Sequence, residues 1–346
     1  MKVGLIYDPI YLEHDTGTHV ENAQRLASTM SLIKERGLKD KLILLPPRPA
    51  SIEEISLVHA RGYISHVESQ AKEGGGWLDA DTVISPASYQ VALYAAGGVL
   101  KAIEAVIAGD VDSAFALVRP PGHHATCWQA MGFCLFNNVA IATKFALANF
   151  NLNRILIVDF DVHHGNGTQE AFYTDSHVLY FSTHQYPFYP GSGSSNEIGA
   201  GKGEGTTVNV PLLAGCGDDE YLQVFSEILS PVAERFQPQL ILVSAGYDIH
   251  WADDLAQMQV SVTGIARMVE IIKKLADKFC LGRLIFSLEG GYHPQALPSS
   301  MTATLDVLLG NRQITDPLGN SPGPRRPSNF DNFIKMVKDI HHLATS

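Results

Sequence analysis

Six short runs along the chain are almost continuously apolar and then end in glycine, aspartate, histidine or serine. They are "KVGLIYD" (2–8), "SAFALVRPPGHH" (113–124), "RILIVDFDVHHG" (154–165), "HVLYFSTH" (177–184), "LILVSAGYD" (240–248) and "RLIFSLEGGY" (283–292). Runs of this length without polar alternation predict strands covered on both faces. Between them, residues 86–109, 137–150, 218–236 and 263–279 repeat apolar positions at helical spacing. Strand and helix alternate, which predicts an α/β fold with a parallel sheet and helices on both sides. In such folds ligands bind beyond the carboxyl ends of the strands, and that is where the polar residues of the six runs fall.

The glycine-rich segment "YPGSGSSNEIGAGKGEGTT" (189–207) has no hydrophobic period and lacks the spacing of a phosphate-binding loop, so it reads as a loop beside the site. After Leu309 the chain turns rich in Pro, Gly and Asn, and it predicts a surface wrap ending in a short helix near "FIKMVKDIHHLA". Residues 1–310 are expected to form one catalytic domain, with 311–346 as its C-terminal surface extension.

Composition narrows the class. With 346 residues, 45% apolar and 18% charged, the chain suits an ordinary globular enzyme with a large core. A net charge of −11 argues against nucleic-acid binding and gives a weak pull on cationic substrates. No apolar run is read as membrane-spanning, and the acidic, polar start is unlike a signal peptide. Cys127, Cys134, Cys216 and Cys280 show neither paired nor regular spacing, so a reducing cytoplasm is expected.

The run "ILIVDFDVHHGNGTQ" raises the chemical question, because carboxylates at the end of a buried strand are costly unless something positive compensates them. Asp159, Asp161 and His163 share a face as the strand runs out. Asp161 and His163 can give an oxygen and a nitrogen to one divalent ion, and "SAGYD" offers Asp248 as a third ligand. Three protein ligands with one open position is the pattern of a catalytic zinc site. "RPPGHHA" adds the adjacent imidazoles His123 and His124 at another strand end, and "LEGGY" brings Tyr292 after two glycines. Taken singly, each has an ordinary structural explanation; together they place ligands, acid–base groups and a hydroxyl donor at four strand ends.

In order, "RPPGHHA", "GFCLFNN", "DFDVHHGNGTQ", "AGYD" and "LEGGY" resemble the zinc-dependent histone deacetylase superfamily, which includes acetylpolyamine amidohydrolases and acetoin-utilisation proteins. Asn166, where nuclear class I enzymes carry aspartate, is similar to the class II and bacterial branches. The resemblance implies an arginase-like single α/β domain with a parallel sheet of about eight strands. It also implies a metal-dependent amidohydrolase that releases acetate and a free amine.

Carried over by position, the resemblance makes Asp161, His163 and Asp248 ligands of zinc, with iron as a possible substitute. His124 becomes general base and acid, His123 with Asp159 an electrostatic partner, Asn166 the group that orients His124, and Tyr292 the oxyanion donor. Gly132, Phe133 and Tyr189 would wall a narrow tunnel, and Asp81, with Asp79 second, would meet the substrate backbone. Potassium is implied at Asp159, Asp161, His163, Ser182 and Thr183. Leu255 stands where polyamine-specific vertebrate relatives carry a glutamate, and "AKEGGGWLDADTVIS" (71–85) is short for the dimerisation insertion of bacterial polyamine enzymes. Acyl-lysine is therefore the expected substrate, with acylated small amines second and the oligomeric state open. A retired acyl-binding module is a competing class, and a two-manganese ureohydrolase is disfavoured because His164 and Gly165 follow His163 where a bridging carboxylate is needed.

Overall fold

The computed structural model describes residues 1–311 and 313–344. Arg312, Thr345 and Ser346, which belong to the expected C-terminal extension, lie outside the described residues. In chain order the strands are β1 (Val3–Ile6), β2 (Leu42–Leu45), β3 (Gly76–Trp77), β4 (Val83–Ile84), β5 (Ser113–Ala116), β6 (Ile155–Asp159), β7 (Val178–Gln185), β8 (Thr207–Leu212), β9 (Leu240–Ala245) and β10 (Leu284–Leu288). Eight of them form one sheet in the order β2-β1-β5-β10-β9-β6-β7-β8, parallel throughout, while β3 and β4 pair as a small antiparallel hairpin.

Every residue of β1, β5, β6, β7, β9 and β10 is buried, which is why these six show as unbroken apolar runs. The sheet's two edges, β2 and β8, were not read from the pattern. β2 exposes Ile43 and Leu44. β8 carries Asn209 and Pro211, and a proline fits an edge strand because it removes a donor the sheet does not need there.

Helices flank the sheet. Gln24–Glu35, Val262–Phe279 and Ala296–Leu309 pack together as one group, and Ser88–Ala108 packs with Asn138–Asn149 as another. The segment 218–236 is helical with a π turn over Phe225–Leu229 that adjoins Ser230–Phe236. Contrary to the reading that no run is membrane-length, the 21-residue helix Ser88–Ala108 is long and apolar enough to cross a bilayer by length and composition. Here it is a core helix, whose aliphatic residues from Val91 to Val106 are buried against its neighbours. The helix Phe330–Ile340 seats Phe330, Ile334 and Val337 on the body, and the segment before it is tied down by Arg326 to Glu220 and by Trp251 Nε1 to the Gly319 carbonyl at 3.0 Å.

The order of the sheet decides where the chemistry lies. β5, β10, β9 and β6 are consecutive across its centre although they are distant in sequence. The segments leaving their carboxyl ends carry His123 and His124, Tyr292, Asp248, and Asp161 with His163, respectively.

Candidate active site

The strand β6 stops at Asp159, so Asp161 and His163 stand in the turn beyond it. There the backbone aims the carboxylates. His163 N–H donates to Asp161 Oδ1 at 2.9 Å, Gly290 N–H to Asp161 Oδ2 at 2.8 Å, and Val162 N–H to Asp248 Oδ1 at 3.1 Å. Asp248 Oδ2 is left buried with no hydrogen-bond partner among the described residues. It lies 3.4 Å from His163 Nδ1, which is 3.2 Å from Asp161 Oδ1. One ligand atom from each of Asp161, His163 and Asp248 falls within 4.8 Å of the others. Gly290 permits this approach, since a Cβ there would collide with both carboxylates.

Two buried carboxylates and one imidazole at this spacing match the hard and borderline donors that bind a divalent ion such as zinc. Without a cation the cluster is strained electrostatically. Burial and then the neighbouring Asp161 push the Asp248 carboxyl up to about 6. Burial works against a charged His163, but Asp161 and Asp248 outweigh it and hold it at about 9.

His123 and His124 follow β5, their rings 4.0 Å apart, yet their surroundings drive them in opposite directions. His123 Nδ1 meets Asp159 Oδ2 at 3.1 Å, and against the cost of burial Asp159 and Asp161 raise its pKa to about 10. His124 is pushed well below the usual histidine value by burial and by the positive neighbours His123 and His163. Its Nδ1 is 2.8 Å from Asn166 Oδ1, and the amide's orientation follows from Asn166 Nδ2, which donates to the His124 carbonyl at 3.2 Å. Nδ1 of the neutral ring must therefore carry the proton, which leaves Nε2 as the acceptor.

Tyr292 follows Gly290 and Gly291. Burial raises its pKa well above 10, so its hydroxyl stays a donor. Phe133 packs edge-on against its ring, with centroids 5.8 Å apart, and the Arg25 guanidinium lies 4.7 Å over the same ring.

These groups border one cleft of about 210 Å³, lined by Asp81, His123, His124, Gly132, Phe133, Asp161, His163, Phe188, Tyr189, Leu255 and Tyr292 among others. The Met131–Cys134 turn has positive φ at both Gly132 (56°) and Phe133 (69°), a conformation that is uncommon for phenylalanine and marks a constrained functional turn. Asp81 Oδ1 accepts Gly132 N–H at 3.2 Å, so the hairpin β3–β4 braces that wall, whereas Asp79 does not line the cleft. Ser182 is in register with Asp159 on the adjacent strand, and the buried Thr183 hydroxyl has no hydrogen-bond partner among the described residues.

Several site residues escaped the sequence reading. Phe188 stacks on His163 at 5.4 Å and forms part of the cleft. Glu289, in the quoted "LEGGY", is fully buried and accepts Gly122 N–H at 2.7 Å and His123 N–H at 3.2 Å; burial pushes its carboxyl up to about 7. A carboxylate inside an otherwise apolar strand end was its available signal. Beneath them Glu21 joins Arg25 (3.0 Å) and Arg119 (2.8 Å). Despite burial, these arginines hold Glu21 well below the usual carboxylate range.

A parallel α/β sheet whose central strand ends converge on an Asp–His–Asp cluster, a neutral imidazole and a tyrosine hydroxyl defines a hydrolytic centre. The histone deacetylase domain model matches residues 19–308, and the chain belongs to that family. It is 43% identical over 314 residues to a probable deacetylase of Archaeoglobus fulgidus, spanning 90% of this chain and 87% of that one. It is 40% identical over 302 residues to a histone deacetylase-like amidohydrolase of Pseudomonas aeruginosa, spanning 87% and 80%. Against the chloroplastic histone deacetylase 14 of Arabidopsis thaliana it is 40% identical over 352 residues, spanning 97% and 82%. The crystal structure of the HDA15 HD domain superposes with a TM-score of 0.90 at 33% identity, covering 98% of this chain and 94% of that one. The protein is accordingly a deacetylase-type hydrolytic enzyme.

Proposed function

We propose that the protein hydrolyses the acyl amide of acyl-lysine, releasing a carboxylate such as acetate and the free amine, with zinc held by Asp161, His163 and Asp248. The observation that carries this reading is that the Asp161–His163–Asp248 cluster, through Asp161 and His163, borders the same narrow cleft as His124 and Tyr292. A divalent ion bound there supplies Lewis acidity toward an amide carbonyl and acidifies a nucleophilic water.

The chain's own groups do the rest. Nε2 of His124, neutral and unshared, takes a proton as water attacks, and the imidazolium returns it to the departing amine. Asn166 holds the tautomer that makes this possible. His123, kept charged by Asp159, adds positive potential as negative charge grows on the substrate. The Tyr292 hydroxyl donates to the developing oxyanion. Phe133, Phe188, Tyr189 and Leu255 form apolar walls that exclude water from an aliphatic stem in a cleft of about 210 Å³.

Potassium at Asp159, Asp161, His163, Ser182 and Thr183 belongs to the same reading, supported by the unpartnered Thr183 hydroxyl and the buried negative charge around it. Four free cysteines support a reducing compartment such as the cytoplasm. Cleavage of acetylated polyamines is the second reading, favoured by the Asp81 carboxylate in the cleft wall. The apolar Leu255 in the cleft wall favours lysine. A retired binding module is disfavoured because His124, Tyr292 and all three ligands are in place. The test is a comparison of kcat/KM for acetyl-lysine peptides, longer acyl-lysines and acetylated polyamines. The highest value should fall to an acyl-lysine peptide, and acetylspermidine outrunning every lysine substrate would overturn the assignment.

A further inference from the structure

Asp253 lies five residues beyond Asp248, is 3% exposed and does not line the cleft. A carboxylate taken out of water is costly unless hydrogen bonds replace its hydration. The bonds here go to backbone alone. Oδ1 accepts Leu255 N–H at 3.2 Å, and Oδ2 accepts Tyr292 N–H at 2.6 Å and His293 N–H at 2.9 Å. The Leu255 bond by itself is a local turn of the kind aspartate commonly closes. The other two reach a segment 39 and 40 residues away and have no part in that turn.

The two oxygens of one side chain thus hold two different walls of the cleft. Leu255 and Tyr292 both border it. Tyr292 follows two glycines, Gly291 having φ of +110°, so the segment has little stiffness of its own. It is held from opposite sides. Arg25 donates to the carbonyls of Glu289 (2.6 Å) and Gly291 (2.7 Å), while Asp253 accepts the N–H groups that follow. Charge-assisted bonds of this kind are about twice as strong as neutral ones.

On the reading of the site given above, we infer that Asp253 is a positioning residue that fixes the oxyanion donor Tyr292 and the selectivity wall Leu255 in one geometry. Loss of its carboxylate lets the Tyr292 hydroxyl drift. A misplacement of about 1 Å costs on the order of 100-fold in rate. Asp253→Ala should therefore lower kcat about 10- to 100-fold by way of Tyr292. Asp253→Asn separates the two duties. Its single carbonyl oxygen can satisfy the closely spaced Tyr292 and His293 N–H groups, which turns the amide NH2 against Leu255 N–H. That variant should keep kcat within about threefold of wild type while KM for acyl-lysine rises and the preference over acetylated small amines narrows.

The deciding experiment is a double-mutant cycle of Asp253→Ala with Tyr292→Phe in the full zinc-loaded chain, on whichever acylamide wild type cleaves fastest. If Asp253 works through the Tyr292 hydroxyl, the double variant is no slower than Tyr292→Phe. Equal fold losses from Asp253→Ala in both backgrounds, or no loss in wild type, overturn the inference while leaving the proposed function standing. Should Asp253→Ala fail to fold, Asp253→Asn decides, and unchanged KM and selectivity in it overturn the inference. A folded, zinc-loaded wild type that cleaves no acylamide overturns the functional reading and this one with it.

Discussion

Removing one oxygen from Tyr292 isolates the transition-state contribution of its hydroxyl from everything else the side chain does. In Tyr292→Phe the edge-on contact with Phe133 and the Arg25 guanidinium over the ring are preserved, since both involve the ring and not the hydroxyl. Folding stability should shift by less than about 0.5 kcal/mol, as for a substitution that opens no cavity and strands no buried charge. Asp161, His163 and Asp248 are untouched, so metal content should stay at wild-type level. The developing oxyanion accepts a much stronger bond than the ground-state carbonyl, and loss of one such donor costs about 2.7–4 kcal/mol. At about 1.4 kcal/mol per factor of ten, kcat should fall about 100- to 1,000-fold with KM changing far less. Steady-state kinetics on a folded, metal-loaded sample is the assay. Turnover near wild type, or a loss carried by KM, would refute the role and revive the binding-module reading.

The remaining predictions concern other links between structure and behaviour. Glu21→Gln should destabilise the fold by about 3–5 kcal/mol in denaturant titration, because it removes the counter-charge of the fully buried Arg119; a loss under 1 kcal/mol would show that this pair is dispensable. Stability should fall as pH drops from about 6.5 toward 4, because burial holds His14, His59 and His341 at about 4 while the unfolded chain protonates near 6.5. His59 shows why: Asn137 N–H donates to its Nε2 at 2.8 Å, which demands a free lone pair. The unfolded state binds more protons in that window, so each such histidine contributes a slope of up to about 1.4 kcal/mol per pH unit, and urea midpoints independent of pH across it would contradict the assignment. Asp248→Ala should reduce zinc content measured by elemental analysis, and an unchanged content would remove Asp248 from the ligand set.

The six strands legible from the chain are those covered on both faces, where burial erases alternation. The two edge strands stayed hidden for different reasons: β2 is only four residues long, and β8 interrupts its apolar positions with Thr207, Asn209 and Pro211. The helix Gln24–Glu35 was likewise missed: its buried residues are Leu26 and Ile33 together with the polar Arg25 and Thr29, so hydrophobic periodicity alone understates it. The Asp161–His163–Asp248 cluster and the His123–His124 pair were readable because charged groups at apolar strand ends are chemically conspicuous. Phe188 and Asp253 were not. One looks like any aromatic in a loop and the other like any aspartate in a turn, and only the fold shows that Asp253 reaches Tyr292 or that Phe188 stacks on His163.

The central claim, a metal-dependent amide hydrolase built on Asp161, His163 and Asp248, is tested most directly by stripping the protein with a chelator and titrating zinc back. Release of acetate from an acetyl-lysine peptide is followed throughout. The stripped protein should be inactive, and activity should return in proportion to zinc and saturate at one ion per chain, with one acetate formed for each lysine amine freed. Full turnover by the metal-free protein, or saturation without any acetate release, would contradict the account.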